Sequence, residues 1–230
     1  VNENARLKEV TELFKISEKI ATIRDERELL DFVLRAALER VEAARGSLML
    51  TTPDGKALEV AASIGIPDDV SHTIVEMGKG ISGWVAENSQ ALLVEDIGKA
   101  PGMAERSRRL QDPSFVSVPL EHKVPHSRPG GPEPQVLAVL NVNQKVGNSQ
   151  FTEGDLKILS IMANHAAVAL DNVRLLRDAE EAHLATLQSM ALLLEAKDPY
   201  THGHSERVRD FSVLAAQRLG MPVDVIETLR

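Results

Sequence analysis

An α+β fold, a central antiparallel sheet flanked by helices and followed by one long helix, is predicted by three observations. Apolar residues recur at helical spacing over residues 3–22 and 25–43. The period then switches to alternation in short runs, GSLMLTT and ALEVAAS first, SFVSVPLE and VLAVLNVNQ later, as half-buried strands require. Finally, Thr152 to Lys197 holds no proline and Gly154 as its single glycine. That composition suits one uninterrupted helix of about 65 Å at ~1.5 Å per residue.

In the first helix Leu7, Val10, Leu13, Phe14, Ser17 and Ile20 share a stripe, and in the second Leu29, Leu30, Val33, Ala37 and Val41 do, with a split near Arg24 and Asp25. Pro53-Asp54-Gly55-Lys56 separates the first two strands and reads as a hairpin turn centred on Asp54-Gly55. A short helix is expected over Asp68 to Glu76, then the glycine-bracketed GKGISGWVAEN, then a strand from Ala91 to Glu95. Between the last two strands, HKVPHSRPGGPEPQ carries four prolines and two glycines, which favours an exposed excursion.

Along the long helix Leu159, Met162, Ala166, Ala169, Val173, Leu176, Glu180, His183, Leu187, Met190 and Leu194 follow alternating steps of three and four. Nine of these eleven positions are apolar, so a partner helix is expected to cover them in a homodimer, with residues 3–22 contributing. Glu180 and His183 form a polar break that can set register. The other reading is that the first half of the seam packs on its own domain and the second half alone pairs.

The bulk composition narrows the function. With 43% hydrophobic residues in 230, a sizeable core is available, yet no apolar run approaches the roughly 20 residues of a membrane span. A soluble, cytoplasmic protein without membrane contact is expected. The formal charge of -8 argues against a nucleic-acid surface, and Arg106, Arg108 and Arg109 read as a solvated face. The absence of cysteine excludes disulfides, thiolate zinc, iron-sulfur clusters and a thioether-linked bilin. Beginning at Val1 and ending inside a helical pattern, the chain is expected to be a piece of a longer protein.

GKGISGWVAENSQALLVEDI, SFVSVPL, VLAVLNVNQ and QFTEGDLKILSIMANHAAVALDNVRLL, in that order, resemble a GAF domain spanning about Asp25 to Leu176. The resemblance implies a sheet with helices on one face and, on the other, a pocket for a cyclic nucleotide, haem, a bilin or another small molecule. Ser82, Trp84, Asp96, Phe115, Ser117 and Asn141 are the candidate ligand-binding residues, with Asp96 and Ser117 nearest the pocket mouth and Met103 a further lining candidate. Gly78, Gly80 and Gly83 serve a tight entry into a short helix or close approach of backbone to a ligand. The Asn-Lys, Phe and Asp-Glu pattern of cyclic-nucleotide-binding members is met in part: Gln144 follows Asn143, and Leu156 follows Asp155. His72 is the candidate haem ligand, with packing the favoured role; His122 and His126, separated by Pro125, do not read as a metal site. His165 and His183 read as packing residues or a pH-sensitive part of the seam.

DPYTHGHSERV, Asp198 to Val208, resembles the opening of the HD-GYP family of metal-dependent cyclic di-GMP phosphodiesterases. The resemblance makes His204 an early ligand of a divalent metal of the iron or manganese class, with His202 and Asp198 nearby. The family's HD pair and GYP motif do not occur in these residues, so no cofactor and no hydrolysis are expected of them alone. The expected organisation is an N-terminal dimerisation helix (1–24), a GAF sensor domain (25–176), a connecting helix (177–197) and the start of an HD-GYP domain (198–230). The function implied is sensing of an unknown small molecule and control, through a long dimeric helix, of a phosphodiesterase output. The alternative is a structural dimerisation module without ligand.

Overall fold

Asp25 lies three residues past the end of one helix and starts the next. Its backbone is extended, and its carboxylate accepts a 2.8 Å hydrogen bond from the Glu28 amide, capping α2 (Glu26–Arg40) directly after α1 (Glu3–Thr22). The computed structural model describes residues 3–67, 73–96, 114–121, 136–197 and 204–229, and the chain divides into two compact units, residues 1–174 and 175–230.

The first unit is built on a six-stranded antiparallel sheet of order β3-β2-β1-β6-β5-β4. Its strands are β1 (Ala43–Thr51), β2 (Ala57–Ile64), β3 (Ile74–Glu76), β4 (Leu92–Val94), β5 (Phe115–Glu121) and β6 (Val136–Lys145). The β1–β2 hairpin turns where expected. Gly55 is left-handed at φ 71°, and Asp54 accepts from the Thr52 hydroxyl and the Lys56 amide. These bonds, that of Thr52 foremost, hold the Asp54 carboxyl below its usual range.

Strand alternation sends one set of side chains to each face. Leu48, Leu50, Val116, Val118, Leu140 and Val142 join the larger core with α2 and with α4 (Glu153–Lys197). The α4 residues in that core are largely small: Ala163, Ala166, Ala167 and Ala169 sit among Leu159, Met162, Leu170 and Val173. Gly46 lets α2 lie close to β1, since a Cβ there would stand 2.9 Å from Leu38 and 3.1 Å from Leu34. On the opposite face, Met49, Leu58 and Val139 pack against Val85 and Ala86 of α3 (Gly80–Asn88).

The predicted helix over Asp68 to Glu76 is corrected in its last part. Ile74, Val75 and Glu76 pair with Glu59, Leu58 and Ala57 as strand β3, and Val75 packs on the α3-side core. Sheet pairing overrides a weak helical pattern in so short a segment. Thr73 is irregular, and residues 68–72 of that predicted helix, His72 among them, lie outside the described residues, as do Met103, Arg106, Arg108, Arg109, His122, His126, Asp198 and His202.

The long helix is observed as one 45-residue element. Leu159, Met162, Ala166, Ala169 and Val173 are buried in the first unit's own core, so the first half of the seam is occupied by the sheet side. Beyond it Leu176, Leu187 and Met190 are about half exposed (47%, 50% and 56%), and Glu180 and His183 are exposed. Arg174 reaches Glu26 of α2 through Nε at 2.9 Å.

In the second unit α5 (His204–Arg218) ends at left-handed Gly220: the Gly220 amide bonds Gln217 O and the Met221 amide bonds Ala216 O, before α6 (Val223–Thr228). No helix among the described residues is long and apolar enough to cross a membrane.

The start of α4 is fastened to the end of β6. Thr152 and Asp155 form a capping box, with the Thr152 amide and hydroxyl donating to Asp155 Oδ2 at 2.8 and 2.9 Å. Lys145 Nζ donates to the same oxygen at 2.5 Å, with both side chains largely buried. Burial, the largest single influence, raises the Asp155 carboxyl. The hydrogen bonds from Lys145 and Thr152 together outweigh it and hold the carboxyl below its ordinary value. With the folded value depressed, the stabilisation is present above the unfolded value of about 3.9 and is lost as pH falls through the folded value. Asp155→Asn is therefore expected to cost about 1–3 kcal/mol near neutral pH. Thermal midpoints of variant and wild type should converge below about pH 3.

Candidate functional site

A row of small polar residues crosses the middle of the α3-side face. Ser47 of β1 pairs with Asn141 of β6, and Asn141 with Ser117 of β5. Their sequence neighbours Leu48, Leu140 and Val118 point into the opposite core, so all three face α3. Ser63 of β2 lies opposite Ser47 in the same row. The adjoining row, Met49, Val139 and Pro119, is apolar.

Asn141 is the hub. Its Oδ1 accepts from the Ser117 hydroxyl at 2.7 Å and from the Ser82 hydroxyl of α3 at 3.1 Å, while its Nδ2 donates to Ser47 Oγ at 3.3 Å. Ser117 is fully buried at 0% exposure, Ser47 is buried, and Asn141 and Ser82 are half-buried. No charged group takes part in these bonds.

The glycines explain how Ser82 reaches this row. Gly78 and Gly80 are left-handed at φ 75° and 63°, making the turn into α3. At Gly83 a Cβ would collide with the Glu76 carbonyl oxygen, so only glycine lets α3 settle against β3.

A profile of the GAF domain family matches residues 23–171. The chain belongs to the GAF family. The GAF domain from the Acinetobacter phosphoenolpyruvate-protein phosphotransferase is similar in structure, with a TM-score of 0.57 at 17% identity over 73% of this chain and 95% of that one. So is the GAF domain/HD domain protein from Geobacter sulfurreducens, with a TM-score of 0.53 at 14% identity over 68% of this chain and 98% of that one. Among curated proteins, the nitrogen fixation protein VnfA of Azotobacter vinelandii is 23% identical over 166 residues. That match takes in 69% of this chain and spans 30% of VnfA's length.

Within the GAF domain, three of the six candidate residues, Ser82, Ser117 and Asn141, meet in one hydrogen-bonded network. Ser117 lies at its floor and not at a mouth, because it stands on a strand that α3 covers. Trp84, two positions from Ser82 on α3, is not among the bonds to Asn141 and packs on the apolar cluster that includes Met49 and Leu58. Phe115 is buried with Ile81 and Val94 as core. Asp96 follows β4, half-buried, and is not among the bonds to Asn141.

Ser47 was not among the sequence candidates; its place in GSLML, alternating with Met49, carries the signal. The lysine missing beside Asn143 stands one position later, at Lys145, and meets Asp155. His204 opens α5, and its side chain lies outside the described residues. Among the described residues no group of three or more His, Cys, Asp or Glu could hold a metal. A surface hollow lined by Arg209, Asp210, Val213, Leu214 and Gln217 of α5 contains none of the candidate residues.

Asn141→Ala would strand the buried Ser47 and Ser117 hydroxyls and is expected to cost about 1–3 kcal/mol for each. Ser82→Ala, at the half-buried end, should cost about 0.5–1.5 kcal/mol. Urea unfolding of the two variants checks the order.

Proposed function

We propose that this chain is a regulatory GAF module that senses a small molecule and passes the signal along α4 to an HD-GYP phosphodiesterase acting on cyclic di-GMP. The observation that carries the reading is the double use of α4. Its first half is part of the GAF core up to Val173, and the same helix runs on unbroken to Lys197. A ligand that shifts the seat of α4 therefore displaces the rest of the rod, provided it favours one seat over another. The output rests on GHSERV, in which His204 would be one metal ligand. The existence of a protein described as having both GAF and HD domains in Geobacter sulfurreducens supports the pairing.

The metal centre itself needs donors that these residues do not supply. Metal-assisted phosphodiester hydrolysis requires several His and Asp ligands to activate water and stabilise the leaving oxygen. The HD pair and GYP motif would provide them, with iron or manganese as the ion. The exposed half of the seam, Leu176, Leu187 and Met190, is proposed as the contact with a second copy of the chain in the cytoplasm. The self-satisfied hydrogen bonds around Asn141 favour one rival reading, a dimerisation module that takes no ligand.

Because the chain has no cysteine, single cysteines at positions 176, 183, 187 and 190 give background-free crosslinking. Sensing predicts that at least one compound of a metabolite panel including cyclic AMP and cyclic GMP changes the crosslinking pattern. A pattern insensitive to all of them supports the ligand-free module. For the output, a chain extended through the HD pair and GYP motif is expected to hydrolyse cyclic di-GMP with manganese or iron. His204→Ala should lower that rate by at least about 100-fold. Equal rates would remove His204 from the centre.

A further inference from the structure

Helix α3 packs on one face of the sheet and α4 on the other. A displacement that begins at α3 therefore reaches α4 either through the sheet or around its edge. The middle is stiff, because β6 is paired on both sides and buried along most of its length. The edge is softer. β4 is the last strand of the sheet and is held to β5 by three residue pairs. A short edge strand opens more cheaply than a central one. It is also tied to α3: Val94 packs with Ile81 of α3 and Phe115 of β5, and Leu92 joins both that cluster and the one around Val85.

Ser114 turns the corner from this edge to the other face. It stands directly before β5 and donates its hydroxyl hydrogen to the Val94 carbonyl at 3.0 Å, while the same oxygen accepts from the Phe151 amide at 3.0 Å. Ser114 is 5% exposed and Phe151 1%, so water does not replace a bond lost here. Phe151 immediately precedes the Thr152–Asp155 capping box, and its ring lies 5.4 Å from Nζ of Lys145, the cation that binds Asp155. One buried hydroxyl thus joins the end of β4 to the start of α4.

We infer that Ser114 is a positioning residue that couples β4 to the first turn of α4, so that the edge strand and the start of the long helix open and close as one unit. When β4 leaves β5, the Val94 carbonyl is withdrawn. The Ser114 hydroxyl then either loses its acceptor in a buried place or follows it and abandons the Phe151 amide. Both outcomes loosen the cap of α4. The coupling is reciprocal, so a firmly seated cap also holds β4 on the sheet. Its use in signalling rests on the proposal that this domain is a sensor; the coupling itself does not.

The test is native-state hydrogen exchange on the whole 15N-labelled chain. Leu92→Ala loosens β4 at the end remote from Ser114. It is expected to speed exchange at the β4 amides and at the Leu156 amide, which bonds Thr152 O in the first turn of α4, by a common factor at least about tenfold above that at Leu140 in the sheet centre. In a Ser114→Ala background the same substitution should leave the Leu156 amide no faster, relative to Leu140, than Ser114→Ala alone. Ser114→Cys, whose thiol is a weak donor, serves the same cycle if the alanine variant does not fold. A residue that only stabilises the fold would give additive effects. Acceleration of Leu156 no greater than that of Leu140 overturns the inference, as does acceleration that persists without the hydroxyl. The experiment needs no ligand, whereas sensing is read by crosslinking along α4, so each idea can fail while the other stands.

Discussion

The first unit depends on β6 being a central strand covered on both faces. It pairs with β1 on one side and β5 on the other. Helices α2 and α4 cover one surface, and α3 the other. A strand so enclosed must be apolar in both directions, as VLAVL is. Asn141 breaks the rule and therefore dictates its surroundings. An amide held there requires partners from the protein, and serines at registered positions on β1 and β5 and at the start of α3 supply them. A slip of β6 by one residue would turn Asn141 into the larger apolar core on the opposite face, so the same side chain also fixes strand register.

The far end of β6 has a second constraint. Gln144 is left-handed at φ 57°, an uncommon backbone for a non-glycine residue, and Lys145 follows it to Asp155. Strand and helix are tied through a charge that burial alone would discourage, and the tie holds because Thr152 shares the carboxylate. Loss of either partner leaves the other poorly solvated.

Much of this was legible in the residues. Helical stripes, strand alternation, the Asp54-Gly55 turn and the proline-free helix each follow from local rules that the fold obeys. The long helix shows where such rules stop. A three-four spacing states that one face is buried but not by what, and for Leu159 to Val173 the cover is the domain's own sheet and α2. Strand β3 was hidden because three residues carry too little periodicity to outweigh a helix-like context. In the site, Ser117 and Asn141 stood out as polar breaks in apolar strands. Ser47 did not, since a serine in GSLML resembles an ordinary turn-proximal residue until the register with Asn141 is known. Lys145 was obscured by a one-residue displacement from the family pattern.

The alanines of α4 have a mechanical meaning. Where Ala163, Ala166, Ala167 and Ala169 meet the sheet side, methyl groups replace the branched side chains that interlock most helices with their neighbours. Such a surface has shallow ridges, so it interlocks with the sheet side less deeply than branched side chains would. Leucines at these places would key the helix into one notch. They would also overfill the buried core in which these methyl groups now sit, at a cost to stability.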